Sequence, residues 1–156
     1  MRLSFKTRQI PVRRNQKIVA WPAIELAFHR PAGGTIRKEV FIDTGSVDSL
    51  FPLTLASQIG INDFSTLEKV SIETGSGHSI HGYLTTAEMS IRSPLNSRRG
   101  WDWTGEIVLA NVSTSLFGVL GHFGFLEYFQ FELDVANREF SIEENSHFLG
   151  EVLTFP

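Results

Sequence analysis

The chain has 156 residues, 42% of them hydrophobic and 20% charged, with a formal net charge of −3. That is enough chain and enough apolar material for one folded domain with its own core, and the charge gives no bulk attraction for nucleic acid. The absence of cysteine excludes disulfides, thiolate zinc sites and cysteine nucleophiles.

No apolar run long enough for a signal peptide or a membrane span opens the chain, so a cytoplasmic location is the expectation, with no membrane partner. The first segment is basic, with Arg2, Lys6, Arg8, Arg13, Arg14 and Lys17, and reads as a solvated face. From Ile24 onward the pattern is that of short strands. Ile24, Leu26 and Phe28 alternate with Glu25, Ala27 and His29, and Pro31-Ala32-Gly33-Gly34 turns the chain. Val40-Phe41-Ile42 is continuous and predicts a strand buried on both faces. It runs into Asp43-Thr44-Gly45-Ser46, an acid on a tight polar turn. Pro52 to Ile59, with proline at its start and Gly60 beyond its end, predicts a short helix.

Val70-Ser71-Ile72-Glu73 and Tyr83-Leu84-Thr85 form the arms of a predicted hairpin, with Thr74-Gly75-Ser76-Gly77-His78 at its tip. Ala87, Met89 and Ile91 continue the strand pattern. Arg92 to Gly105, interrupted by Pro94, Asn96 and Gly100, reads as one long surface loop with its tryptophans packed at the base. Ile107-Val108-Leu109 is another buried run. Val119-Leu120-Gly121 leads into a second predicted helix, His122 to Tyr128. Phe129, Phe131 and Leu133 then pair across the turn Val135-Ala136-Asn137 with Glu139 to Ile142.

The chemistry concentrates on Asp43. Amide hydrolysis without a metal or a covalent nucleophile needs one carboxylate to take a proton from water and a second, protonated, to polarise the carbonyl. Two carboxyls within hydrogen-bond reach hold one proton between them, as the aspartic-protease dyad does. Gly45 lets the backbone offer an N–H to the carboxylate, Ser46 adds a hydroxyl, and Thr44 can tie down the turn.

Phe41-Ile42-Asp43-Thr44-Gly45-Ser46, followed by an apolar segment and a helix opening at Pro52, resembles the active-site region of retropepsin-like aspartic proteases. Val119-Leu120-Gly121 resembles the family's second element, two apolar residues and a glycine before the closing helix, and the hairpin Phe129 to Ile142 suits its single-domain members. The resemblance covers about residues 20 to 143. It implies a mostly β fold, an acid-protease closed β-barrel with one or two short helices, built as a single domain over 1–156 with a C-terminal tail at 144–156. It also implies Asp43, Thr44 and Gly45 as the catalytic turn, Ser46 as its support, residues 74–78 as a flap over an extended peptide, and no cofactor.

Pepsin-like enzymes carry two such motifs in a chain about twice this long. Of the other aspartates here, Asp48, Asp63, Asp102 and Asp134, none precedes Thr-Gly or Ser-Gly. An active enzyme then requires a homodimer, with Asp43 of each chain at the two-fold axis. Retroviral enzymes interleave their termini; the hairpin Phe129 to Ile142 and the tail from Asn145 are the segments here that either do so or cover a sheet edge. Two positions depart from the retroviral pattern. Val47 stands where those enzymes usually carry an acid that grips the substrate, and His122 where they usually place arginine. The rival expectation is a non-catalytic peptide-binding or dimerisation module with the same fold.

Other motifs carry less. His78 and His81 have the separation of a metal-ligand pair but no third ligand nearby, so no metal is expected. Gly75-Ser76-Gly77 has no following lysine for a phosphate loop, and Gly77-His78-Ser79 lacks the glycine frame of a serine nucleophile elbow. Arg92, Arg98, Arg99, Trp101 and Trp103 mix basic and aromatic residues, but a solvated loop explains them better than a nucleic-acid face.

Overall fold

A computed structural model describes residues 1–11, 18–73, 77–112 and 117–154. Thirteen strands and one 3-10 helix are formed among them. The first three strands are β1 (Arg2–Lys6), β2 (Arg8–Pro11) and β3 (Ile18–Trp21). The barrel strands follow as β4 (Ala23–His29), β5 (Thr35–Ile42) and β6 (Leu50–Pro52), then the helix Leu53–Ile59. Next come β7 (Glu68–Glu73), β8 (Ser79–Arg92), β9 (Arg99–Ala110) and the two-residue β10 (Val119–Leu120). The chain ends with β11 (Phe129–Asp134), β12 (Glu139–Glu144) and β13 (Glu151–Thr154).

Eight strands form one sheet in the order β13-β9-β6-β10-β5-β4-β8-β7. A further pairing joins β8 to β9, from Gly82↔Ala110 to Arg92↔Gly100, so the ladder returns to the strand it left. The interior of this ring holds Leu26, Phe28, Val40, Phe51, Met89, Ile107 and Leu109, all buried. Phe28 and Phe51 meet edge to face at 5.0 Å between centroids. Alternation explains most of it, because every second side chain of a strand faces the same way. Val40-Phe41-Ile42 is buried on both faces because Val40 and Ile42 belong to the core cluster and Trp21 packs on Phe41 at 4.6 Å between ring centroids.

A smaller sheet, β1-β12-β11, packs beside the ring. Its aromatic residues join the main core: Phe129 lies 5.2 Å from both Trp101 and Trp103 and 4.9 Å from Phe125. The basic character of β1 is balanced across the sheet, where Arg2 pairs with Glu132 and Lys6 with Glu139. β2 and β3 make a separate two-stranded ribbon.

Two expectations change, and one left open is decided. The segment 92–105 is not one long loop. The turn occupies only 93–98, and β9 begins at Arg99, with Trp101 and Trp103 buried. Its glycines mark close packing: a Cβ on Gly100 would strike the carbonyl oxygen of Ile91 on β8. The second helix, expected over His122 to Tyr128, is a run of turns. Gly124 adopts a left-handed φ of 83°. Its carbonyl accepts from the Trp103 indole at 2.9 Å and its N–H donates to the Glu127 carboxylate at 2.6 Å, so neither group enters a helical ladder. Residues Glu151 to Thr154 of the tail lie antiparallel along β9, from Glu151↔Asp102 to Thr154↔Arg99, and cover that edge within the chain.

Among the described residues, no helix is long and apolar enough to cross a membrane.

Candidate active site

The loop 43–49 leaves β5 and enters β6, yet these two consecutive strands are not paired with each other. β10 lies between them, parallel to β5 (Val119↔Phe41, Leu120↔Ile42) and antiparallel to β6 (Val119↔Leu50). The Asp43 turn therefore forms where a third strand parts two neighbours. The Asp43 N–H donates to Leu120 O at 3.0 Å, which seats the turn on the end of β10.

Within the turn, the Gly45 N–H donates to Asp43 Oδ1 at 2.9 Å, and the Ser46 N–H donates to Asp43 O at 3.1 Å. The first bond orients the carboxyl and the second closes the turn on the Asp43 backbone. Asp43, Thr44 and Gly45 are exposed. The Ser46 hydroxyl donates to the Asp48 carbonyl oxygen at 2.7 Å rather than to Asp43. Its role is to brace the loop.

A second layer of bonds fixes the loop from below. His122 N–H donates to Ser46 O and Phe123 N–H to Val47 O, each at 2.9 Å, and Asp48 bridges Phe123 in parallel. Ser49 is buried and joins three segments. Its hydroxyl donates to Phe123 O at 2.6 Å and accepts from Gly121 N–H at 3.0 Å, while its carbonyl accepts from Val108 N–H at 2.8 Å. Ser49 was not legible as a site residue, because a lone serine between Asp48 and Leu50 carries no motif. Ser49→Ala is expected to leave two backbone groups unpaired and to cost about 1–3 kcal/mol. An unfolding midpoint lowered in urea at an unchanged slope would show it.

Val119 and Leu120 supply β10, and Gly121 follows it at a point of close approach. A Cβ there would meet the Asp48 carbonyl and lie 2.9 Å from Ser46 O. So the Val119-Leu120-Gly121 element and the Asp43 turn, more than seventy residues apart, form one unit.

Burial pushes the Asp48 carboxyl above its ordinary value. The folded state thus favours the protonated acid, and this group's contribution is full below the unfolded-state value and lost as pH rises through the folded one. Asp48→Asn is expected to raise the melting temperature at about pH 7 and leave it nearly unchanged at about pH 3. Equal shifts at both pH values would contradict this assignment.

The hairpin over 70–85 is β7 paired with β8, from Glu68↔Leu84 to Glu73↔Ser79. Among the described residues, β8 meets β9 only from Gly82 onward, so residues 79–81 pair there with β7 alone. Phe64 packs on Tyr83 at 4.7 Å, at the base of this overhang. Of its tip, Thr74, Gly75 and Ser76 lie outside the described residues; Gly77 has a left-handed φ of 77° and His78 is exposed.

A cavity of about 790 Å³ is lined by His29, Glu88, Trp103 and Tyr128 among others, and one of about 660 Å³ by Phe5, Ile24 and Leu95 among others. Asp43 lines neither. It is exposed on the surface.

No protein-family model and no curated protein matches this chain. Solved structures do. A retropepsin-like aspartic protease from Rickettsia conorii superposes with a TM-score of 0.56 over 99% of this chain and 94% of that one, at 13% identity. The fold is retropepsin-like. The protease of EIAV, in complex with the inhibitor HBY-793, also matches, with a TM-score of 0.44 over 71% of this chain and 88% of that one, at 12% identity. Within the retropepsin-like fold, the Asp43 turn and Val119-Leu120-Gly121 are the parts brought together here.

Proposed function

We propose that the chain is an aspartic endopeptidase that works as a homodimer. Asp43 and the partner copy's Asp43 share a proton at the two-fold axis; one activates water and the other polarises the scissile carbonyl. Thr44, Gly45 and Ser46 hold the turn. The hairpin tip, residues 74 to 78, closes over an extended peptide that binds by strand addition. Each chain contributes one domain, and no cofactor enters the chemistry.

The observation that supports this reading best is the exposed Asp43 carboxyl, oriented by the Gly45 N–H at 2.9 Å on a turn fixed by an inserted strand. A turn anchored on so many backbone bonds, with its carboxyl in the open, is suited to meeting a second carboxyl. Incubating the wild type and Asp43→Asn with an unfolded protein across acid to neutral pH tests the chemistry, and sedimentation tests the symmetry. Cleavage that survives Asp43→Asn would sink the dyad. A stable monomer that cleaves nothing would favour a non-catalytic peptide-binding or dimerisation module.

A further inference from the structure

The cavity of about 660 Å³ runs along the edges of two strands. Ser4, Phe5 and Lys6 of β1 all line it, and so do Ala23, Ile24 and Glu25 of β4. Consecutive side chains of a strand point to opposite faces, so a cavity that touches three in a row lies beside the strand and not over one face. Both edges are open there. Among the described residues, β1 pairs with β12 alone. β4 pairs with β8 only through Ala27↔Ser90 and Phe28↔Met89. Among the described residues, Ala23, Ile24 and Glu25 therefore pair with β5 on one side and with no strand on the other.

We propose that this slot is a docking site for an extended apolar segment of another protein. The segment adds as a strand to the open edge of β1 and sets an apolar side chain between Phe5, Ile24 and Leu95. Asp43 does not line the slot, so the proposal stands apart from the dyad reading.

Three observations carry it. The first is the kind of group on offer. An unpaired strand edge presents a row of N–H and C=O groups at strand spacing, and another extended backbone is what matches such a row. The second is the apolar wall. Phe5 and Ile24 belong to the main core, yet the cavity reaches both, and its volume is in the range of sites that hold a ligand. Pro94 and Leu95 close the far side from the turn 93–98. That turn is braced. The Ser93 hydroxyl accepts from Leu95 N–H at 3.2 Å, Asn96 Oδ1 accepts from Arg98 N–H at 3.0 Å, and Ser93 N–H donates to Arg99 O at 2.8 Å. Leu95 is thus held in solvent, 94% exposed, at the mouth of an apolar cavity, where a bound chain would cover it. The third is charge. Lys6 pairs with Glu139, Arg37 with Glu25 and Arg92 with Asp102. Each charged side chain that lines the slot already has its counter-ion, so the slot selects neither an anion nor a cation and suits a neutral segment.

The test uses the full chain carrying Asp43→Asn, so that no probe is consumed. The probe is an end-blocked peptide of alternating threonine and valine with one central leucine. Amide exchange followed by NMR reads where it sits. Residues 4–6 are expected to gain protection of about tenfold or more at saturating probe. The same peptide methylated on its backbone nitrogens keeps its side chains and loses its donors, and is expected to bind at least about tenfold more weakly. Leu95→Asp, at an exposed position, is expected to weaken the unmethylated probe by at least about tenfold. A melting temperature confirms that the variant folds, and Leu95→Ser repeats the test should it fail to. Equal binding of the two peptides would overturn strand addition. So would a probe that leaves residues 4–6 unprotected at about 1 mM, or that protects only the β7–β8 hairpin. Protection of residues 4–6 that is present without probe and fades on dilution would show a second copy in the slot, and would overturn the proposal too.

Discussion

Asp43→Asn is expected to lower hydrolysis by roughly 10²–10⁴-fold, the range that a positioned acid or base contributes. The substitution keeps the shape of the turn. The asparagine side-chain oxygen still accepts the Gly45 N–H that Asp43 Oδ1 accepts at 2.9 Å. Because Asp43 is exposed, stability is expected to hold or rise slightly, and the dimer to persist. The signature is therefore a loss confined to the rate, with sedimentation and melting unchanged. A composite site adds a sharper consequence. Excess Asp43→Asn chains exchanged into the wild type should silence it in proportion to their share, since each mixed dimer holds one carboxyl of the two. A wild-type rate per wild-type chain that ignores the added variant would show that one chain suffices. The pH profile is a further check. Two coupled carboxyls titrate as a pair, so the rate should fall on both the acid and the neutral side of its maximum.

The strands that build the ring were legible wherever side chains alternate between core and solvent or where a run is wholly apolar. Val40-Phe41-Ile42, Ala87-Met89-Ile91 and Ile107-Val108-Leu109 are buried as that pattern requires. The β7–β8 and β11–β12 hairpins were legible because their partners are close in sequence and a turn lies between. What the pattern hides is long-range pairing. β1 finds its partner 139 residues away, at Leu3↔Ile142, and nothing local announces it. β9 was hidden differently: glycines at 100 and 105 look like loop punctuation, although Trp101, Trp103, Ile107 and Leu109 keep a period of two. The glycines are there because neighbouring backbone and side chains come too close for a Cβ. The same blindness affected the turns at 122–128, where apolar residues at helical spacing suggested a helix. Gly124 gives its hydrogen-bonding groups to Trp103 and Glu127 instead, side chains a local reading cannot weigh. At the site, the residues with a motif were legible: Asp43, Gly45 and Gly121. Ser49 and Phe123, which hold the two halves together, show themselves only through contacts.

Gly121→Ala is expected to destabilise the fold by about 3 kcal/mol or more, at the upper end of what overpacking costs, and to abolish hydrolysis with it. The reason is the kind of atom the new methyl would meet. A side-chain neighbour can rotate away, but the Asp48 carbonyl and Ser46 O are backbone. Those groups are already committed, since Ser46 O accepts from His122 N–H at 2.9 Å and Asp48 O from the Ser46 hydroxyl at 2.7 Å. Relief requires the loop 46–48 to lift off the 121–123 segment, and that motion breaks the Ser49–Gly121 bond as well. The strain therefore does not stay at Gly121. It is transmitted to the turn that orients Asp43, through Ser46 N–H to Asp43 O. Gly118 offers the control. A methyl there would meet the Leu50 carbonyl and the Phe51 ring on β6 rather than the backbone of the 46–48 loop. Gly118→Ala should lower stability by a similar route but leave the chemistry of whatever dimer still folds. Gly121→Ala should lower the rate even below its unfolding temperature. Equal rates per folded dimer in the two variants would mean that Gly121 serves packing alone, and that the Asp43 turn holds its geometry without the contact beneath it.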